Sequence, residues 1–217
     1  MAKPRQQRLV DDRLWELLAP LIPPRPPARG PGGRPPIGDR AALEGVLFVL
    51  NTGCREVLMG SFDVLLNDER TQLEAFVEEY RSALESTLDG LTDEQARSRL
   101  VPSATTLLGL LKHVTWMQRV WFEECIGGRP RLELGLVHSP EESFQLADDD
   151  TVTSVKAAHR QACATARAAV AGLPLDAVVT GHRAGPRTLH WVYLQVLREL
   201  AHHCGHADIL REQILAG

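Results

Sequence analysis

Apolar residues recur at steps of three and four along most of the chain. Leu73, Phe76, Val77, Tyr80, Leu84 and Leu88 form one such stripe, the spacing of an amphipathic helix. "LTDEQA" (91–96) follows, with Thr92 three residues before Gln95, a capping-box form that predicts a short helix. A second long helix is predicted from "PSATTLLG", where Ser103 or Thr105 can cap, to Cys125, before the glycine pair at 127–128 stops it. Residues 127–148 read as irregular, broken by Pro130 and Pro140. The acidic run at 148–150 suits a helix N-terminus, and a third long helix continues through "VTSVKAAHRQACATARAAVAG". The fourth begins after "GPR", near Thr188, and runs nearly to the C-terminus. No strand alternation and no internal repeat stands out.

Four long helices, with one long connection between the second and third, predict an all-α four-helix bundle with a crossover. Helices of this kind are marginal alone in water, so their stripes must bury one another. The first 58 residues have a different character. Two short amphipathic stretches, "DDRLWELLAPLI" and "DRAALEGVLFVLNTGC", flank "PPRPPARGPGGRPP" at 23–36, which can form neither a helix nor a central strand. Two domains are therefore expected: a short helical N-terminal extension with its Pro/Gly/Arg-rich linker over 1–58, and the bundle over 59–217.

Composition sharpens that division. In a chain of 217 residues, positions 1–40 hold eight Lys/Arg and four Asp/Glu, a net +4. The remainder holds 16 basic and 24 acidic residues, a net −8. An acidic body argues against nucleic-acid binding there and leaves it open for the basic extension. Cys54, Cys125, Cys163 and Cys204 show no C-x-x-C spacing, so buried free thiols in a reducing compartment are expected. No signal-peptide pattern and no apolar run of membrane-spanning length occurs, so the protein is expected to be cytoplasmic.

The fourth helix carries the candidate chemistry. Its seam is Leu189, Tyr193, Val196, Leu200, His203, Ala207, Leu210 and Ile214, alternating steps of four and three with a histidine in a core position. At about 100° per residue, Glu199 lies roughly 40° to one side of His203 and His206 roughly 60° to the same side. His202 falls about 100° away, at the edge of the buried face. A carboxylate and an imidazole in a core must be paired or metal-bound, and a Glu–His hydrogen bond alone would satisfy them. On the second helix, "LLGLLKHVTWMQRVWF" sets His113 in line with Leu110 and Met117. His113, Glu199 and His203 together would be three protein ligands with a vacant position, the pattern of a catalytic zinc-type site. His206 is an additional candidate ligand. His138, His159, His182 and His190 have no partners at ligand spacing and read as solvated or structural.

Two resemblances bear on this picture. Residues 9–54, with "LWELLAPLIPP", "GGRPP" and "DRAALEGVLFVLNTGC", resemble the N-terminal helical region of insertion-sequence transposases. The likeness stops after Cys54, and no acidic catalytic triad can be placed in the chain that follows. The extension is expected to be a relic, or alternatively a residual DNA-contacting module. Residues 59–217 resemble DinB-type four-helix domains, in particular the actinobacterial mini-circle proteins. The matching stretches are "ERTQLEAFVEEYRSALESTLDGLTDEQAR", "VPSATTLLGLLKHV", "WF" at 121–122 and "RELAHHCGHADILREQI". The resemblance implies an up-down-down-up bundle with a metal site among its helices. In the related mycothiol-dependent maleylpyruvate isomerase the ligands are a His, Glu, His set. Carried onto this sequence they fall on His113, Glu199 and His203. The family's usual stretch is closer to "ARHAGHAD", so His202 stands where an arginine is commoner and Cys204 where an alanine is.

The resemblance implies a divalent metal, with zinc foremost and nickel, iron or manganese as alternatives. It also implies a small-molecule substrate, a low-molecular-weight thiol of the mycothiol type as co-substrate, and a homodimer. The function expected is thiol transfer or isomerisation. The alternatives are a non-catalytic metal or small-molecule binding domain and a DNA-binding protein derived from a transposase.

Overall fold

A computed structural model of the chain describes residues 10, 12–22, 38–40, 43 and 60–216. The chain divides into two compact units, Met1–Leu58 and Met59–Gly217. In the first, helix α1 (Asp12–Leu18) tightens into a 3₁₀ turn at Ala19–Leu21, where Pro20 sits in the first turn. Arg40 Nη2 donates to the carbonyl of the buried Val10 at 2.8 Å. The Pro/Gly/Arg-rich stretch 23–36, most of "DRAALEGVLFVLNTGC", Cys54 and Met59 lie outside the described residues.

The second unit is all-α apart from one two-stranded ribbon. Helix α2 (Glu69–Ser86) starts where the Asp68 carboxylate accepts the Thr71 N–H at 3.1 Å. The short α3 (Asp93–Ala96) has the reciprocal Thr92/Gln95 box that its sequence predicts. Helix α4 (Leu107–Arg119) is capped by Thr106, whose hydroxyl accepts the Gly109 N–H at 3.0 Å. Neither Ser103 nor Thr105 takes that role. At Val120–Ile126 the helix widens into a π-helical stretch. Within the crossover, Ser139 caps the single turn α5 (Pro140–Ser143). Helix α6 (Val152–Val170) opens on a Thr151/Ser154 box. Strands β1 (Val178–Val179) and β2 (Arg187–Thr188) pair antiparallel, and α7 (Leu189–Ala216) closes the chain. Strands of two residues are too short for alternation to reveal them.

The four long helices pack on one another: α2 on α7, α4 on both α6 and α7, and α2 on α6. Every seam position of α7 from Leu189 to Leu210 is buried, and Ile214 packs at the margin. On α2 the pattern shifts. Leu73, Val77, Leu84 and Leu88 are buried, Phe76 of the predicted stripe is exposed, and Ala75, outside that stripe, is buried. The same helix buries Glu78 and Arg81. Arg81 donates to Glu78 and Gln118, each at 2.5 Å, and Arg167 reaches Glu78 at 2.9 Å. Charge burial is tolerated there because each ion has an opposite partner. Among the described residues no helix is long and apolar enough to cross a membrane.

Two glycines set close approaches that shape the site. At Gly109 a Cβ would stand 2.7 Å from the Phe144 carbonyl oxygen, so only glycine lets the end of the crossover lie on α4. At Gly181, in the β1–β2 loop, a Cβ would stand 2.6 Å from the carbonyl oxygens of Glu124 and Cys125. The ribbon is thus seated on the C-terminal end of the π-helical stretch.

Candidate metal centre

One turn beyond Gly109, the side chain of His113 is buried beneath the crossover. The Phe144 ring stacks on it, with centroids 4.0 Å apart and planes within 10°. His113 Nδ1 lies 2.7 Å from Ser143 Oγ. That hydroxyl donates to the Pro140 carbonyl at 2.5 Å, so towards the histidine it acts as acceptor. Nδ1 therefore carries the proton, and Nε2 is left with its lone pair free. The seam of α7 brings His203 edge-on to this ring at a centroid distance of 4.7 Å. Glu199, one turn earlier, accepts Gln195 and Arg198 on Oε1 at 2.9 and 3.0 Å. Its Oε2 stands 3.6 Å from His203 Nε2, beyond hydrogen-bonding distance. His203 Nδ1 is buried and has no partner among the described residues.

One ligand atom from each of His113, Glu199 and His203 fits within a 4.8 Å group. Burial, and then the nearby His203, pushes the His113 pKa down to about 4. Burial also lowers that of His203, against the opposing pull of Glu199. Both imidazoles are therefore neutral at pH 7, the form that binds metal. The donor set fits a divalent cation: two neutral imidazoles and one carboxylate, with the ligand atoms facing one another within 4.8 Å.

His206 is exposed and outside this group, its ring 5.7 Å from that of His203 and 4.4 Å from that of the equally exposed His202. His190 pairs with Glu69 at 3.1 Å. His159 is buried between Thr115 and Cys163. His138 and His182 stand outside the metal-capable group, and both line a cleft of about 210 Å³ that includes His113 and Glu199. Trp116, Trp121, Arg131 and Arg183 line it too. A larger cleft, of about 350 Å³, lies between α4 and α6, but its one buried acid, Glu123, is held by Arg119 and Arg129. Of the cysteines, Cys125, Cys163 and Cys204 are free and buried, and burial raises each thiol, that of Cys204 to about 11.

The structure thus defines an all-α body with a metal-capable histidine–glutamate group beside a cleft. The sequence profile of the mycothiol-S-transferases matches residues 72–216, and the chain belongs to that family. Residues 10–55 match a second profile, whose description places it with transposases of the IS4/5 family. Over 56 residues the chain is 54% identical to the "Insertion element IS402 uncharacterized 16.2 kDa protein" of Burkholderia cepacia, covering 25% of this chain and 35% of the relative. The chain therefore spans about a third of that relative's length.

Proposed function

We propose that residues 59–217 form a divalent-metal-dependent thiol transferase, an up-down-down-up bundle whose metal ligands are His113, Glu199 and His203. The observation that carries this is the 3.6 Å gap between Glu199 Oε2 and His203 Nε2, within one ligand group with His113. A structural Glu–His pair would close that gap. A buried polar group without a partner costs about 1–3 kcal/mol, of the same order as the gain from burying one leucine. A cation between Glu199 Oε2 and His203 Nε2 would bridge that gap, and so would offset the cost of leaving those two facing atoms unpaired.

Zinc is the foremost candidate, with nickel, iron or manganese as alternatives. The bound cation would supply Lewis acidity, lowering the pKa of a coordinated thiol so that thiolate forms near neutral pH. The chain's own contribution is to orient this centre. Ser143 fixes the His113 tautomer, and Gln195 and Arg198 turn Glu199 so that Oε2 faces His203. Phe144 shields the His113 ring from water. Because the three described cysteines are buried with raised pKa values, the reacting sulfur is assigned to a low-molecular-weight thiol of the mycothiol type, in keeping with the family's name. Glu199 acts as a ligand rather than as a free base.

Residues 1–58 are, in this proposal, a transposase-derived extension with no part in the chemistry. The setting is cytoplasmic. The body pairs as a homodimer, a proposal supported by the exposed Phe76, Trp191 and Leu194. Elemental analysis of the purified chain, followed by a mycothiol conjugation assay against a panel of electrophiles, tests the proposal. One equivalent of divalent metal and metal-dependent conjugation are expected. Metal without conjugation would leave a binding domain, and no metal would overturn the assignment.

A further inference from the structure

The cleft that reaches His113 and Glu199 is closed on its far side by the β1–β2 ribbon. Seated through Gly181, the ribbon is locked further by side chains. The His182 ring stacks on Trp121 with centroids 4.7 Å apart and planes within 19°. His182 Nδ1 accepts the Ala184 N–H at 3.1 Å, which leaves Nε2 as the protonated nitrogen of the neutral ring. The Arg187 guanidinium lies over both Trp121 and Trp191, 5.3 and 4.8 Å from their ring centres, and donates to the Gly185 carbonyl at 2.7 Å. These contacts hold the loop that carries Arg183 in a defined place.

The charges lining this cleft are uneven. Arg131 is neutralised by Glu124, which its Nε and Nη2 reach at 3.0 and 2.8 Å. Glu199 belongs to the candidate metal group. Arg183 lines the cleft and is exposed, with no carboxylate within ion-pair distance among the described residues. Arg187 likewise has no carboxylate partner among them and adds its charge behind the tryptophans. The sum is a positive field at this end of the cleft. The His182 pKa is lowered first by burial and then by Arg187, against the opposing pull of Glu124, with Arg183 and Arg131 adding to the lowering. A cation facing a partly apolar cleft without a counter-ion is the arrangement that recognises an organic anion with an apolar body.

We propose that Arg183 binds the carboxylate of a small, anionic electrophilic co-substrate whose body lies among the apolar lining of the cleft, Trp116, Met117 and Val120, so that this cleft selects acids over their neutral analogues. This rests on the transferase reading of the cleft and deepens it by naming the charge of the second substrate. Arg183 would fix one end of the molecule, leaving the other end towards His113 and Glu199.

The test uses a pair of unreactive probes that differ only in charge, benzoate and benzamide, titrated into the full chain with tryptophan fluorescence as the readout. Benzoate is expected to bind at least about ten-fold more tightly, as a charge-assisted contact allows. Arg183→Gln should bring benzoate to within about two-fold of benzamide, and Arg183→Lys should retain part of the preference. Equal binding of the two probes by the unaltered chain would overturn the proposal. So would benzoate binding that survives Arg183→Gln, which is the result if the carboxylate sits on a bound cation instead. The titration reads neither metal content nor thiol transfer. A chain that binds no metal but keeps the Arg183-dependent preference upholds this inference while overturning the transferase. A metal-loaded, thiol-conjugating chain that lacks the preference does the reverse.

Discussion

Ser143 Oγ accepts the Nδ1–H of His113, because its own proton is committed to the Pro140 carbonyl. A residue of the crossover thereby decides which nitrogen of a helix-borne histidine is free to bind. Such supporting contacts are commonly worth a factor of ten to a hundred in metal affinity. Ser143→Ala is expected to weaken metal binding by about ten-fold, measured by competition with a coloured chelator, while the helical signal stays unchanged. Unaltered affinity would show that the hydroxyl does not orient the ligand.

The ligand set makes its own ordered prediction. His203→Ala should abolish stoichiometric metal, and His113→Ala should nearly do so, since each removes one of three protein bonds. Glu199→Gln should weaken binding less completely, because the amide oxygen can still coordinate while the compensating charge is gone. His202→Ala should be close to silent, as that side chain is exposed. Metal content of the four variants decides between this set and the exposed His202/His206 pair. An empty site in His202→Ala with a full one in Glu199→Gln would assign the ligands to the pair.

Removing the metal should also make stability acid-sensitive. The folded-state pKa of His113 lies near 4, below the 6.5 of an unperturbed histidine. Below pH 6.5 the unfolded chain therefore takes up a proton that the folded chain refuses, and folding weakens as the pH falls. That loss should grow between pH 6.5 and about 4, with His203 contributing in the same direction. Thermal melts of chelator-treated protein at pH 7.5 and 5.0 are expected to show a lower Tm at pH 5.0, and His113→Leu should reduce the difference. Equal melting temperatures would count against a neutral buried His113.

A chain beginning at Met59 should retain the helical circular-dichroism signal of residues 60–216 and melt cooperatively. The core positions that describe the body all lie beyond that methionine. An aggregated or unfolded truncation would show that the first 58 residues are needed for folding.

Much of the α7 arrangement could be read from spacing alone, because a seam of fours and threes has only one way to face a core. Glu199 and His203 emerged from that periodicity and His113 from its alignment with Leu110 and Met117 on α4, and the structure brings the three together. What spacing does not encode is pairing across the chain. Glu78 and Arg81 look like surface charges until Gln118 and Arg167, 40 and 89 positions from Glu78, arrive to satisfy them. Phe76 continues the α2 stripe in sequence, but the smaller Ala75 takes the buried place. Ser143 was hidden for a similar reason. Its segment has neither helical nor strand periodicity, and its role depends on the approach that Gly109 permits. The ribbon at 178–188 left no trace because its pairing rests on two residues per strand and on a glycine fitted against carbonyl oxygens.

That glycine has an evolutionary consequence. Gly181 seats the ribbon against the carbonyl oxygens of Glu124 and Cys125, while the donors of the candidate centre stand on α4 and α7. Arg183 at the tip is exposed, so it can change while His182 and Arg187 keep the loop against Trp121. Descendants of this chain could therefore exchange one co-substrate for another by altering a few loop residues while keeping the same reactive centre. The position least open to such drift is Gly181 itself, since any side chain there would unseat the ribbon.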